Sequence, residues 1–141
     1  MRSDLFVVNR SSIGKEAMLE NDELTGTIIG CAIEVHRHMG PGLMESVYER
    51  CLLHELNQAG LTTVSQVAIP VYYKGCKLEC DYRVDLIVAG QVLVELKSVK
   101  ALSDLHGAQV ITYMRLAKIR RGLLINFNVP KLVHGIKRFV I

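Results

Sequence analysis

Apolar positions along the chain change period several times, and those changes mark its elements. Leu24, Ile28, Cys31, Ala32 and Val35 recur at helical spacing behind Asn21-Asp22-Glu23, which supplies a cap and an acidic first turn. The spacing predicts a helix to about His38, ended by Met39-Gly40-Pro41-Gly42. Met44, Val47, Tyr48, Cys51, Leu52 and Leu56 predict the buried stripe of a second helix that stops near Gly60. Glu45 lies three residues before Tyr48 and seven before Leu52, on or beside the face that should pack inward. Burying a carboxylate unpaired is costly, so Glu45 is expected to meet a cation, a metal-bound water or a hydrogen-bond donor.

Strand patterns follow. Thr62 to Gln66 and Val67 to Tyr73 read as strand interrupted by Pro70, Lys74-Gly75 as a turn, and Leu78 to Val88 as a long strand. After Lys97 the period returns to helical: Leu102, Leu105, Ala108, Ile111, Thr112 and Leu116 predict a helix from about Ser103, whose hydroxyl suits a cap. His106, Gln109 and Tyr113 share one side of it. Arg120-Arg121-Gly122 is expected to close that helix, with Leu123 to Asn126 a buried strand and His134 to Ile141 a last one. Residues 1–20 have no sustained period and read as an extension with room for a short strand at Phe6 to Val8. The expected fold is one α/β domain over residues 21–141, ordered helix, helix, three or four strands, helix, strand, strand.

Asp81 to Ser98 carries acid and base where a sheet would carry apolar residues. Successive strand residues face opposite ways, so Glu95 and Lys97 share a face. If Ala89-Gly90-Gln91 is a three-residue loop, with Gly90 free to take positive φ, Val88 pairs with Val92 and Asp85 falls opposite Glu95. A two-residue loop would put the two carboxylates on opposite faces. In the first register one face is Val84, Leu86, Val88, Val92, Val94 and Leu96, and the other gathers Asp81, Arg83, Asp85, Glu95 and Lys97. Opposed carboxylates have Cβ atoms only about 5 Å apart, and such a pair destabilises a sheet unless neutralised. A divalent cation such as Mg²⁺ would do so, since it takes carboxylates together with waters and a substrate phosphate. Lys97 and Arg83 balancing the acids on a solvated face is the competing explanation.

Composition narrows the classes. At 141 residues, half of them hydrophobic, the chain is long enough for one real core. It has no apolar run of membrane-spanning length and no signal-peptide pattern, so a cytoplasmic protein with no membrane association is expected. Cys31, Cys51, Cys76 and Cys80 lack zinc-site spacing and are expected to be reduced, partly buried thiols. His36, His38, His54 and His134 are expected at surface or capping positions. The net charge of +3 divides unevenly: residues 97–141 hold nine Lys or Arg and one acid, whereas the preceding residues carry eight Lys or Arg and thirteen acids. A basic half joined to a carboxylate-bearing half suits a polyanion held beside a metal, although solvated lysines give the same asymmetry.

Asp85, Glu95-Leu96-Lys97 and the helix bearing Glu45 together resemble the signature of the PD-(D/E)XK nuclease superfamily. Gly42-Leu43-Met44-Glu45-Ser46-Val47-Tyr48 is similar to the pattern that names its GxxExxY branch, and Gln109-Val110-Ile111-Thr112-Tyr113 to the Gln-x-x-x-Tyr motif of RecB-like exonucleases. Asp85 follows Val84, not the proline of the superfamily's name, and Asp81 is a rival of the same parity. The resemblance covers about Asn21 to Ile141 and implies a restriction-endonuclease-like αβββαβ core, a mixed central sheet flanked by helices.

It also implies a metal-dependent nuclease acting on nucleic acid, with DNA the expected polymer. Glu45, Asp85, Glu95 and Lys97 would be catalytic. Asp85, Glu95 and the Leu96 carbonyl would hold Mg²⁺ or Mn²⁺, with Glu45 a further candidate ligand, and Arg83, Gln109 and Tyr113 would contact substrate. A nucleic-acid- or protein-binding module that kept this fold without turnover is the alternative. So small a nuclease is compatible with a homodimer, though no stretch specifies an interface.

Overall fold

The computed structural model describes the backbone of Asp4–Val7 and of residues 15–141, and side chains from Glu23 onward. Its elements in order are β1 (Asp4–Val7), α1 (Lys15–Met39), α2 (Glu45–Gln58), β2 (Thr63–Tyr73), β3 (Cys76–Val88), β4 (Val92–Lys97), α3 (Asp104–Ala117), β5 (Arg121–Asn126) and β6 (Ile136–Val140), with a 3-10 turn at Leu132–Gly135. They form one mixed sheet ordered β1-β6-β5-β4-β3-β2. β4 and β5 run parallel because α3 carries the chain back across the sheet; β2, β3 and β4 form an antiparallel meander. Helix, helix, three strands, helix, strand, strand is the expected αβββαβ order. β1, from the stretch read as an extension, adds a parallel edge strand beside β6.

Alternation within the central strands sends apolar residues to both faces. Leu86, Val88, Val92, Val94, Leu96, Leu123 and Ile125 pack under Ile28, Ile29, Ala32 and Val35 of α1 and Tyr48, Leu52 and Leu56 of α2. Leu93, Leu124 and Phe139 pack on Val110 and Met114 of α3. Gly122 lets α3 approach: a Cβ there would lie 2.6 Å from the Met114 sulfur. The two central strands are thus buried on both faces, as parallel pairing under helices requires.

Several expectations are corrected. α1 starts at Lys15, so Asn21-Asp22-Glu23 falls inside a helix and does not cap one. Met44 is 72% exposed because it precedes α2 with extended backbone and cannot share its stripe; Val47 is exposed as well. α3 ends earlier than Arg120, because Lys118 adopts φ 57 and its N–H and that of Ile119 close on Arg115 and Met114 carbonyls. Arg121 is therefore a buried strand residue. The cysteines are free, but Cys76 and Cys80 are exposed. His36 is buried, its ring hydrogen-bonded to the Val129 carbonyl at 2.7 Å and tilted on Phe127.

The odd register holds: Val88 pairs with Val92, Ile87 with Leu93 and Leu86 with Val94. Ala89 and Gly90 both take positive φ, 53 and 65, and the Gln91 N–H closes the turn on the Val88 carbonyl at 2.9 Å. A Cβ at Gly90 would meet nothing within 4 Å, so a substitution there costs only backbone energy. Gly90→Val should lower unfolding free energy by about 1–2 kcal/mol, the penalty for a branched residue in the left-handed region. Urea denaturation measures it; an unchanged midpoint would contradict this turn.

Candidate active site

The β3–β4 ladder stops at Leu86 and Val94, one step before Asp85 would pair with Glu95. There each strand offers a side chain to the other's backbone. The Asp85 N–H donates to Glu95 Oε1 at 2.8 Å, and the Leu96 N–H donates to Asp85 Oδ2 at 2.8 Å. Buried amides need partners, and here two carboxylates replace the carbonyls a sheet would supply. On the other side of β3 the β2 ladder skips Gln66, which has φ 52, between Ser65 paired with Leu86 and Val67 paired with Val84. Gln66 turns its amide to Glu49 Oε1 at 2.6 Å and to Asp85 Oδ1 at 3.4 Å.

This double interruption changes which way β3 faces. Leu86 and Val88 pack toward α1 and α2, but Val84 joins the cluster under α3, and Tyr82 meets Tyr113 of α3. Residues of one parity thus switch sides at Asp85, and the unbroken face expected from Val84 onward is corrected. Arg83 and Lys97 are not ladder partners; the exposed Arg83 guanidinium donates to the Gln66 carbonyl at 3.3 Å. Asp81, the rival aspartate, pairs with Pro70 and is exposed on the outer hairpin.

Charge follows geometry. Glu95 is 7% exposed, and its carboxyl is pushed up to about 8, first by burial and then by the Asp85 charge, with a smaller push from Glu45. The Asp85 N–H and Lys97 act in the opposite direction. The Asp85 carboxyl is also raised, chiefly by burial and further by Glu49 and Glu45, against the Leu96 and Gln66 hydrogen bonds. Both carboxyls resist ionising together, as close like charges in a poorly solvated place must.

Glu45 reaches this place through a rigid loop. Tyr48 is fully buried and stacked on Phe127, ring centroids 4.4 Å apart. Its hydroxyl donates to the Gly40 carbonyl at 2.5 Å and accepts from the Leu43 N–H at 3.1 Å. Gly42 makes the bend at φ 92. Glu45 then opens α2, where Oε2 accepts the Ser98 N–H at 3.3 Å and the Ser98 hydroxyl donates to the Leu43 carbonyl at 2.6 Å. Glu45 is exposed, which corrects the burial expected for it, and the donor it meets is the backbone just past Lys97. Buried Asn126 holds that segment, exchanging hydrogen bonds with the Val99 N–H and carbonyl.

Tyr113 belongs to the same place, being raised first by burial, then by Glu95, Tyr82 and Asp85. Gln109 lies one turn before Tyr113, half-buried. Leu96 gives the site its N–H. His106 instead completes the cap of α3, its Nδ1 accepting the Ser103 N–H at 3.0 Å while Ser103 caps the His106 N–H. Glu49, Gln66 and Tyr82 were missed. Glu49 was findable, since it follows Glu45 by one helical turn. Gln66 was not, because nothing marks a glutamine for positive φ.

No group of three or more His, Cys, Asp or Glu among the described residues is arranged to hold a metal ion. Two carboxylates that repel each other's ionisation nevertheless fit a divalent cation that takes one or two protein oxygens and fills its shell from water and phosphate. Among the described residues, no helix is long and apolar enough to cross a membrane.

An αβββαβ domain with Asp85 facing Glu95 and Lys97 at the end of the next strand is a restriction-endonuclease-like domain. A family model described as the PD-(D/E)XK nuclease superfamily matches residues 22–139, and the chain belongs to that superfamily. No curated protein and no solved structure matches it.

The raised carboxyl has a consequence for stability. An ordinary glutamate ionises near 4.5, whereas folded Glu95 keeps its proton to about 8. Its stabilising contribution is therefore complete below the unfolded value and is lost as pH rises through the folded one; Asp85 adds the same sign. In EDTA the melting temperature should fall between pH 5 and 8, and Glu95→Gln should flatten that slope and melt higher than the parent at pH 8. Parallel slopes in both proteins would contradict a buried, proton-holding Glu95.

Proposed function

We propose that this domain is a divalent-metal-dependent nuclease of the GxxExxY branch that hydrolyses phosphodiester bonds of DNA. The observation that carries the proposal is the reciprocal pairing of Asp85 and Glu95, which keeps two acids together at a cost that a binding module would have no reason to bear. Asp85, Glu95 and the Leu96 carbonyl are assigned to Mg²⁺ or Mn²⁺, with Glu45 at the edge of the same site. When bound, such a cation supplies Lewis-acid polarisation of the phosphoryl group and eases deprotonation of water.

The chain's own groups do the rest. Lys97 adjoins Glu95 on β4 and places an ammonium where negative charge develops on the phosphate or where the attacking water must be oriented. Glu45, fixed by the Ser98 N–H, can hold a second water by hydrogen bond. Gln109 and Tyr113 of α3 position the strand or Lys97. Arg83 and the basic C-terminal part hold phosphates without sequence choice, which makes affinity salt-dependent.

Labelled single- and double-stranded DNA and RNA, incubated with Mg²⁺, Mn²⁺ or EDTA, test the activity. Cleavage should require metal and should fall on the order of 10²-fold or more in Asp85→Ala and in Lys97→Ala. Cleavage that survives both substitutions would remove the site assignment. Salt-sensitive binding without cleavage of any substrate would favour the binding module. Asn126→Ala should lower activity with metal affinity retained, since Asn126 positions the 97–99 segment and is not assigned to the cation.

A further inference from the structure

Tyr82 lies on β3 three residues before Asp85 and is 40% exposed. Because β3 changes faces at Asp85, Tyr82 is turned toward α3 and meets Tyr113, with ring centroids 5.1 Å apart and planes 49° to each other. Tyr113 in turn lies close enough to Glu95 and Asp85 to feel both charges. Tyr113 therefore links the Tyr82 ring to the acidic pair. The tilt leaves the Tyr82 ring oblique to Tyr113 and not covered by it. Tyr48 shows the contrasting case, a ring fully enclosed and stacked flat on Phe127.

An uncovered aromatic ring beside a site for phosphodiesters recognises a particular form of polymer. Continuous duplex presents phosphates and groove edges outward and keeps its base faces stacked inside. An unpaired base has a free face, and stacking on an aromatic side chain tolerates any base identity. The same hairpin continues outward with Tyr72 and Tyr73, 61% and 62% exposed, and the Lys74 ammonium lies 5.5 Å from the Tyr73 ring centroid. This outer arm thus exposes two further rings and a cation, beside the exposed acids Glu79 and Asp81.

We propose that Tyr82, backed by Tyr113, is a stacking platform for an unpaired nucleobase next to the scissile phosphate, so that the domain prefers single strands or single-stranded ends to continuous duplex. This rests on the nuclease reading for the scissile phosphate. The experiment measures fluorescence anisotropy of labelled oligothymidylate and of a labelled blunt duplex in Ca²⁺, followed by cleavage of both in Mn²⁺. The proteins are the parent, Tyr82→Leu, which keeps apolar packing on Tyr113, and Tyr82→Phe, which keeps the ring. Tyr82→Leu should weaken single-strand binding about tenfold, or about 1.4 kcal/mol, and leave duplex binding within about twofold, while Tyr82→Phe matches the parent. Equal losses on both polymers, or no loss on either, would overturn the platform. Selective loss of single-strand binding with no cleavage in any protein would support the platform and count against the nuclease reading. Cleavage of duplex as fast as single strand, unaltered by Tyr82→Leu, would support the nuclease reading and overturn the platform.

Discussion

Two hydrogen bonds of 2.8 Å, from the Asp85 N–H to Glu95 and from the Leu96 N–H to Asp85, set the character of this domain. In an ordinary antiparallel pair those amides would bind carbonyls and the side chains would stand away from the ladder. Here the carboxylates take the carbonyls' place, so the backbone remains satisfied while the strands part. The exchange draws two acids into a place where water is scarce. Burial raises both carboxyls, and the Asp85 charge pushes Glu95 further, up to about 8.

The neighbouring elements make the arrangement rigid. Leu86, Val88, Val92 and Val94 are wholly buried, so the hairpin cannot slip by one residue without turning its apolar set toward solvent. Tyr48 ties the Gly40–Leu43 loop and so aims Glu45. Its place in Gly42-x-x-Glu45-x-x-Tyr48 is then structural: a bend, an acid and an anchor one turn further on. Asn126 does the corresponding work at the end of β5, clamping the residues that follow Lys97. Precision at the acids therefore comes from buried groups outside the Asp85–Glu95 pair.

Parity and one glycine were enough to read the hairpin from Leu86 to Val94, because period-2 alternation and a turn of odd length leave a single register that buries the apolar set there. The order of elements was legible for the same reason, as long periodic segments announce themselves. What escaped depended on single backbone torsions without a residue signal. Gln66 at φ 52 and Lys118 at φ 57 occupy a region where glycine or asparagine would be expected. The first faces Asp85, where β3 changes sides and Tyr82 turns to α3; the second ends α3 before Arg120. Glu49, by contrast, was legible from its helical spacing to Glu45; Gln66 bridges it to Asp85.

If Asp85 and Glu95 are joined by a divalent cation, the proton that Glu95 holds to about 8 must leave when the cation binds. Calorimetric titration of Mn²⁺ at pH 7 in two buffers of different ionisation enthalpy measures that release directly. The account predicts release of about one proton per ion bound, and loss of that release in Glu95→Gln. Binding with no proton release, or with the same release in Glu95→Gln, would contradict it.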